Sequence, residues 1–224
     1  MILSNFLLPR SCVLCGTRVD NGGFCDACRA DLPWIGSACE RCGQPLPAGR
    51  HCVECQLHPP PFDKAFAPFL YTFPVDSALK ALKFRRQLQY APAFGGLLPP
   101  FLEALFTDAD ALIPVPLHRR RHALRGFNQA TELCRYLHKA SGLPIILSVD
   151  RIRHTRPQIG LEAAERRRNM KAAFRVRGAL HCRHPLIIDD VMTTGETCGH
   201  LSEALLEAGS SSVSVLAIAR AALP

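Results

Sequence analysis

The chain has 224 residues, 48% hydrophobic and 21% charged, with 27 basic against 19 acidic side chains and a formal charge of +8. That composition excludes a disordered tail, a coiled coil and a collagen-like repeat, and it supplies enough apolar material for a core. The longest uncharged stretch, Gln87 to Leu102, has 16 residues and is broken by Pro92, Gly95, Gly96, Pro99 and Pro100, whereas a membrane span needs about 20 apolar residues.

The N-terminal segment MILSNFLLPR lacks a basic n-region and a small-residue cleavage site, so it is expected to belong to a folded, cytoplasmic protein. Eight of the eleven cysteines follow it as four CxxC pairs: Cys12/Cys15, Cys25/Cys28, Cys39/Cys42 and Cys52/Cys55. The gaps of 9, 10 and 9 residues read as two consecutive zinc ribbons. A CxxC turn aims two thiolates at one ion, and four thiolates complete the tetrahedron of a structural Zn2+. Gly16 and Gly43 follow the second cysteine of their pairs, where a knuckle needs positive φ. Disulfides would suit a secreted chain, and a redox CxxC would occur once after a strand rather than four times at near-equal spacing. Sequential pairing is the simplest scheme, a cross-braced one the alternative. His51 is a spare ligand in principle. Cys134, Cys182 and Cys198 lie outside the pattern and read as incidental, Cys134 falling on the apolar stripe of a helix.

The composition changes after Cys55. Gln56-Leu57-His58-Pro59-Pro60-Pro61 reads as a stiff, extended linker, dividing a ribbon unit over 1–58 from an α/β unit over 59–224. Beyond it the pattern predicts an edge strand over 65–72, a helix over 76–86, a strand over 111–116, a helix over 126–140 closed by Gly142, and a strand over 145–149. An arginine-rich stretch, 151–177, has no clean period. A buried strand over 186–190, a helix over 197–208 ended by Gly209 and a strand over 213–219 follow. Strands alternating with helices imply an α/β fold: a parallel sheet with helices on both faces, binding ligands beyond the carboxyl ends of its strands. Lys80, Lys83, Arg85 and Arg86 read as snorkelling surface residues of the 76–86 helix.

The chemistry concentrates in Leu186-Ile187-Ile188-Asp189-Asp190-Val191-Met192-Thr193-Thr194-Gly195-Glu196-Thr197. An apolar strand runs into two carboxylates, then a hydroxyl-rich loop with one glycine, then a helix. Thr193 to Thr197 can wrap a phosphate at the positive end of that helix, and Asp189 with Asp190 can accept hydrogen bonds from a sugar and tolerate a nearby Mg2+.

This segment resembles the 5-phosphoribosyl-1-pyrophosphate (PRPP) signature of type I phosphoribosyltransferases. Pro114-Val115-Pro116-Leu117 with Arg121 and Arg125-Gly126-Phe127-Asn128-Gln129 resembles the competence protein ComF family, as does Thr155-Arg156-Pro157-Gln158 with Leu161, Arg166, Asn169, Ala172 and Phe174. The resemblance covers essentially the whole chain, since that family carries a zinc ribbon, often double, ahead of a phosphoribosyltransferase-like domain. Only Glu196 stands out, bulky and charged at the loop's variable position. The resemblance implies that Val115, Pro116 and Leu117 contact the pyrophosphate of PRPP and that residues 153–174 form a flap over it. It makes Asp189, Asp190, Arg121 and Arg166 the catalytic set, assigns Arg125 to phosphate contact, and places Thr193, Thr194, Gly195, Glu196 and Thr197 around the 5′-phosphate. It further implies two structural Zn2+, Mg2+ with PRPP, a role in natural transformation or DNA utilisation, and single-stranded DNA and a helicase-like ATPase as partners at the inner membrane. A metabolic phosphoribosyltransferase acting on a purine or pyrimidine is the first alternative, but no base-recognition segment is identifiable after Val213. A module that senses PRPP without turnover is the second.

Charge sharpens the reading. Residues 1–62 hold five arginines and five acids, so the whole excess lies beyond them. Two Zn(Cys)4 centres, each carrying −2, would bring the chain from +8 to about +4. The basic clusters 119–121 and 166–168 therefore read first as solvated surface, then as phosphate contacts, and only third as a nucleic-acid surface, because no aromatic platform is interleaved with them.

Overall fold

A computed structural model describes residues 11–20, 23–152 and 173–222. In chain order its strands are β1 (Lys64–Phe66), β2 (Phe69–Leu70), β3 (Ala111–Pro114), β4 (Val149–Arg151), β5 (Phe174–Val176), β6 (Pro185–Met192) and β7 (Ser214–Arg220). The helices are α1 (Asp26–Ala30), α2 (Val53–Leu57), α3 (Val75–Arg85), α4 (Tyr90–Gly95), α5 (Pro99–Leu105), α6 (Arg119–Arg125), α7 (Gln129–Ser141) and α8 (Glu196–Glu207).

Five strands form one parallel sheet in the order β1, β7, β6, β3, with β2 continuing the β1 edge against β7. Successive side chains of a strand face opposite ways. Leu112, Leu186, Ile188, Leu216 and Ile218 therefore share one face, packed on Leu79 and Leu82 of α3, Phe94 of α4 and Leu133 and Leu137 of α7. Ile113, Ile187, Val215 and Ala217 turn to the other, against Leu201 and Leu205 of α8. Each fully buried Leu or Ile contributes about 1.5–3 kcal/mol, so the two-sided sheet is the main source of stability. Its near-continuous apolar strands are what coverage on both faces requires.

Several expectations need correction. The helix expected over 126–140 is two helices: α6 ends where Gly126 takes φ +79, and α7 begins at Gln129 behind Asn128, whose side chain accepts the N–H of Ala130 at 3.1 Å. Gly142 closes α7 as expected, in the left-handed region. Residues 145–149 form no regular strand. Ile145 makes one bridge to Leu112, and pairing resumes only at β4, which runs antiparallel to β5 in a separate two-stranded sheet. Gln56 and Leu57 belong to α2, so the extended linker begins at His58. The uncharged stretch 87–102, given no element from sequence, supplies α4 and the start of α5.

The cysteine-rich region lies directly on the α/β unit. Leu32 enters the same core as Phe94, Phe24 meets Phe94 edge-on at 5.2 Å, and Trp34 stacks on Phe69 at 4.5 Å. No helix among the described residues is long and apolar enough to cross a membrane.

Candidate functional site

The eight N-terminal cysteines gather as two sets, Cys12, Cys15, Cys25 and Cys28, then Cys39, Cys42, Cys52 and Cys55, with the ligand atoms of each set within 4.8 Å of one another. Sequential pairing holds, and the cross-braced alternative is excluded. Cys15 and Cys25 sulfurs lie 3.7 Å apart, as do those of Cys42 and Cys52, close to the edge of a tetrahedron with Zn–S near 2.3 Å and far from a disulfide bond. Gly16 and Gly43 take positive φ at the knuckles. Burial works against thiolate formation at Cys12 and Cys39, but amides of the knuckles outweigh it and bring these thiols down to about 6 and about 7. Both sets thus fit a structural Zn2+. His51 is exposed and belongs to neither. Cys134, Cys182 and Cys198 are buried among apolar residues, and burial raises all three thiols.

The second site forms where β3 and β6 end. A cavity of about 150 Å³ opens there, with Asp189 and Asp190 at the end of β6 and Val115 and Leu117 in the loop after β3. Arg121 and Arg125 of α6 and Arg151 of β4 supply positive charge around it. Asn128 holds the β3–α6 loop in place by donating from Nδ2 to the Val115 carbonyl at 3.0 Å, and Val115 donates its N–H to Ile188 at 2.9 Å. Lys83 reaches in from α3 and pairs its ammonium with Asp190 at 2.8 Å. Burial, then the charge of Asp190, push the Asp189 carboxyl up to about 8, with Lys83 pulling it back. Burial lowers the guanidinium pKa values of Arg125 and Arg151; Asp190 opposes this at the first and Asp189 at the second.

The cavity asks for an acceptor. Gln129, 2% exposed, takes a hydrogen bond from Arg125 on Oε1, yet its Nε2 finds no partner among the described residues. A buried, unsatisfied donor costs about 1–3 kcal/mol, and an anionic ligand in the adjoining cavity would satisfy it.

Most residues expected at the site from sequence meet here: Val115, Leu117, Arg121, Arg125, Asp189, Asp190 and Thr197 all line the cavity. Pro116 and Thr193 do not line it. Thr194, Gly195 and Glu196 line a neighbouring cavity of about 280 Å³ that faces the second cysteine set. Gly195 takes φ +87 ahead of α8, and Thr194 Oγ1 accepts the Glu196 N–H at 3.3 Å, so the loop has the tight form expected of it. Arg166 and the rest of 153–172 lie outside the described residues, as do 1–10, while β4 and β5 pair at the root of that segment. Sequence reasoning missed Lys83, read as surface, and gave no role to Arg151 or Gln129. The Arg-Gly-Phe-Asn-Gln run was the available signal for Gln129.

Residues 3–56 match the family model of the double zinc ribbon domain. The chain is 35% identical to DNA utilization protein YhgH of Escherichia coli O157:H7, over 95% of this chain and 98% of that protein. It is 31% identical to competence protein F of Haemophilus influenzae, over 94% and 96%. Competence protein ComFC of Bacillus subtilis is more distant, at 27% over 83% of this chain and 78% of that one. Among solved structures, glutamine PRPP amidotransferase from B. subtilis superposes on 62% of this chain and 30% of its own with a TM-score of 0.45 and 19% identity, too remote to add to the reading of the site.

Proposed function

The chain belongs to the family of competence protein F and DNA utilization protein YhgH, and on that premise we propose that the cleft beyond β3 and β6 binds PRPP with Mg2+. One observation supports this most: a small cavity walled by Lys83, Arg121, Arg125, Arg151 and the unsatisfied Gln129 amide surrounds two adjacent carboxylates. Polyanion and sugar are the two chemistries that such a wall and floor recognise together. Asp189 and Asp190 would take the ribose hydroxyls, Thr193 to Thr197 the 5′-phosphate, and the arginines with the Val115–Leu117 loop the pyrophosphate. Mg2+ bound with PRPP would supply charge neutralisation for the leaving group, with Asp189 and Asp190 as the carboxylates facing it. The ligand-free pairing of Lys83 with Asp190 at 2.8 Å would then open, freeing the ammonium for a phosphate oxygen.

In a transfer reaction the bond from ribose C1 to pyrophosphate breaks, the electron pair leaves with pyrophosphate, and the acceptor bonds to C1. Negative charge builds on the leaving group beside fixed guanidinium groups, and positive charge on the sugar builds beside carboxylates. Calorimetry with PRPP and Mg2+ should show one binding site per chain, lost on Arg125→Ala. No heat of binding overturns the assignment. A pyrophosphate-release screen over bases and single-stranded DNA separates a transferase from a PRPP sensor: turnover identifies the first, tight binding without release the second.

A second surface favours single-stranded DNA as partner. Beside the cleft, and sharing Lys83, Arg121 and Arg125 with it, lies a groove completed by Phe84, Arg86 and Leu124. Phe84 is 71% exposed and Leu124 78% exposed, and the Arg125 guanidinium lies over the Phe84 ring at 5.2 Å. This is the aromatic surface among cations that sequence spacing failed to reveal, because its parts come from α3 and α6. Stacking one base on an aromatic ring changes affinity by about tenfold, so Phe84→Ala should weaken single-strand binding by that factor. Unchanged affinity would exclude this groove.

A further inference from the structure

Arg220, the last residue of β7, is 1% exposed. A guanidinium does not lose its charge, so burial demands hydrogen bonds and a compensating negative field. It forms no ion pair with a carboxylate among the described residues. Instead, Nε donates to the Cys42 carbonyl at 2.9 Å, and Nη1 donates to the Met192 carbonyl at 2.9 Å and the Ala221 carbonyl at 3.3 Å. Cys42 is a ligand of the second cysteine set, and Met192 is the residue before the Thr193–Thr197 loop. One planar group therefore bridges a metal knuckle and the base of the loop. Gln44, in the same knuckle, adds a parallel tie from Nε2 to the Ala221 carbonyl at 3.1 Å, and Ala221 in turn donates to Met192 at 3.0 Å.

The surroundings agree. The 280 Å³ cavity has Cys42, Cys52 and Cys55 on one wall and Thr194, Gly195 and Glu196 on the other. Beneath the loop, the Met192 side chain approaches within 3.4 Å of where a Cβ at Gly195 would lie. Four thiolates on Zn2+ carry a net −2, the compensating field that buried Arg220 lacks otherwise. The first cysteine set has no such tie: it lies against α4, where Gly23 approaches Ala93, and Cys15 is exposed.

We propose that Arg220 is a positioning residue that couples the second zinc centre to the 193–197 loop, so that metal at Cys39, Cys42, Cys52 and Cys55 holds the loop in its binding form. The first centre only anchors the ribbon. The consequence for ligand binding rests on the PRPP reading above; the coupling itself does not.

The test uses the full-length zinc-loaded protein in two measurements. Chelator challenge, followed by the absorbance of a zinc indicator, should release metal in two phases, with Cys15→Ser identifying the phase of the first centre. Groups hydrogen-bonded around a metal site change its affinity by about 10–100-fold, so Arg220→Lys should speed the second phase by at least about tenfold and leave the first unchanged. Hydrogen exchange at the amides of 193–197 should rise in parallel, by about tenfold, while exchange in β6 holds. Gln44→Ala, which removes one tie and leaves Arg220, should move both readouts the same way by less, and serves if the arginine variant does not fold. Faster zinc release without faster loop exchange overturns the coupling, and so does neither changing. Both moving together in a protein that binds no PRPP upholds the coupling and removes the PRPP reading instead.

Discussion

Removing both zinc ions is expected to unfold residues 11–58 and to shift the emission of Trp34, the one tryptophan in the chain, to the red. The region has almost nothing else to hold it. Helices α1 and α2 are five residues each, far below the length at which a helix persists alone. The core of the second ribbon is Cys39, Cys42 and Cys55 themselves, flanked by Leu46 and Cys52. Structural zinc contributes about 10–16 kcal/mol of apparent binding energy in small ribbons, which exceeds the whole stability of most domains. Trp34 reports the event because its ring rests on Phe69 at 4.5 Å and its Nε1 donates to the Arg29 carbonyl at 2.9 Å, both lost if the ribbon leaves the sheet. Metal analysis should find two zinc ions per chain. An emission maximum that stays fixed after complete metal removal would show that the ribbon folds without it. The loss should be sequential, because Cys15 is exposed whereas Cys39, Cys42 and Cys55 are buried.

What sequence could and could not tell divides along the range of the interactions. The CxxC spacing announces a ribbon because ligand pairs are local, and Asp189-Asp190 with Thr193–Thr197 announces a site because strand end, loop and helix start are contiguous. Lys83 shows the other case. Lys80 and Lys83 lie within one turn of α3, and nothing local distinguishes them. Yet Lys80 pairs with Asp76 at 2.7 Å on the surface, with its side chain 56% exposed, while Lys83 is 18% exposed and reaches an aspartate more than a hundred residues away. Prolines misled in the opposite direction. Pro99 and Pro100 read as breakers, but they occupy the first turn of α5, where a missing N–H costs nothing. Arg220, at the end of an apolar strand, gave no hint that its charge would be buried, because what compensates it comes from the ribbon.

Asparagine at Asp189 and at Asp190 should weaken PRPP binding alike, by about a hundredfold for the pair of changes together, yet move stability in opposite directions. The two acids are neighbours in sequence but not in circumstance. Asp189 is held up to about 8 by burial first and by the charge of Asp190 second. Its unfolded value is near 3.9, so between about pH 4 and pH 8 the folded protein keeps a proton that the unfolded chain has released. The unfolded state then binds fewer protons, the slope of unfolding free energy with pH is negative, and this group subtracts stability as pH rises through that window. Asp189→Asn removes the titration. Its melting temperature should exceed wild type at pH 8.5 and converge on it toward pH 5, at about 2–4 °C per kcal/mol for a chain of this size. Asp190→Asn instead leaves the Lys83 ammonium, 18% exposed, without its partner at 2.8 Å. Removing one member of a largely buried pair costs about 3 kcal/mol, so this variant should melt below wild type. Calorimetry and thermal melts at pH 5 and pH 8.5 on both variants decide the matter. If Asp189→Asn lowers the melting temperature at pH 8.5 as far as Asp190→Asn does, the raised carboxyl is wrong. If either variant binds PRPP as wild type does, that aspartate is not where the ribose sits. The expected outcome is a site that gives up stability for its ligand: a carboxyl kept near others of its own charge, at the end of a strand that would be more stable without it.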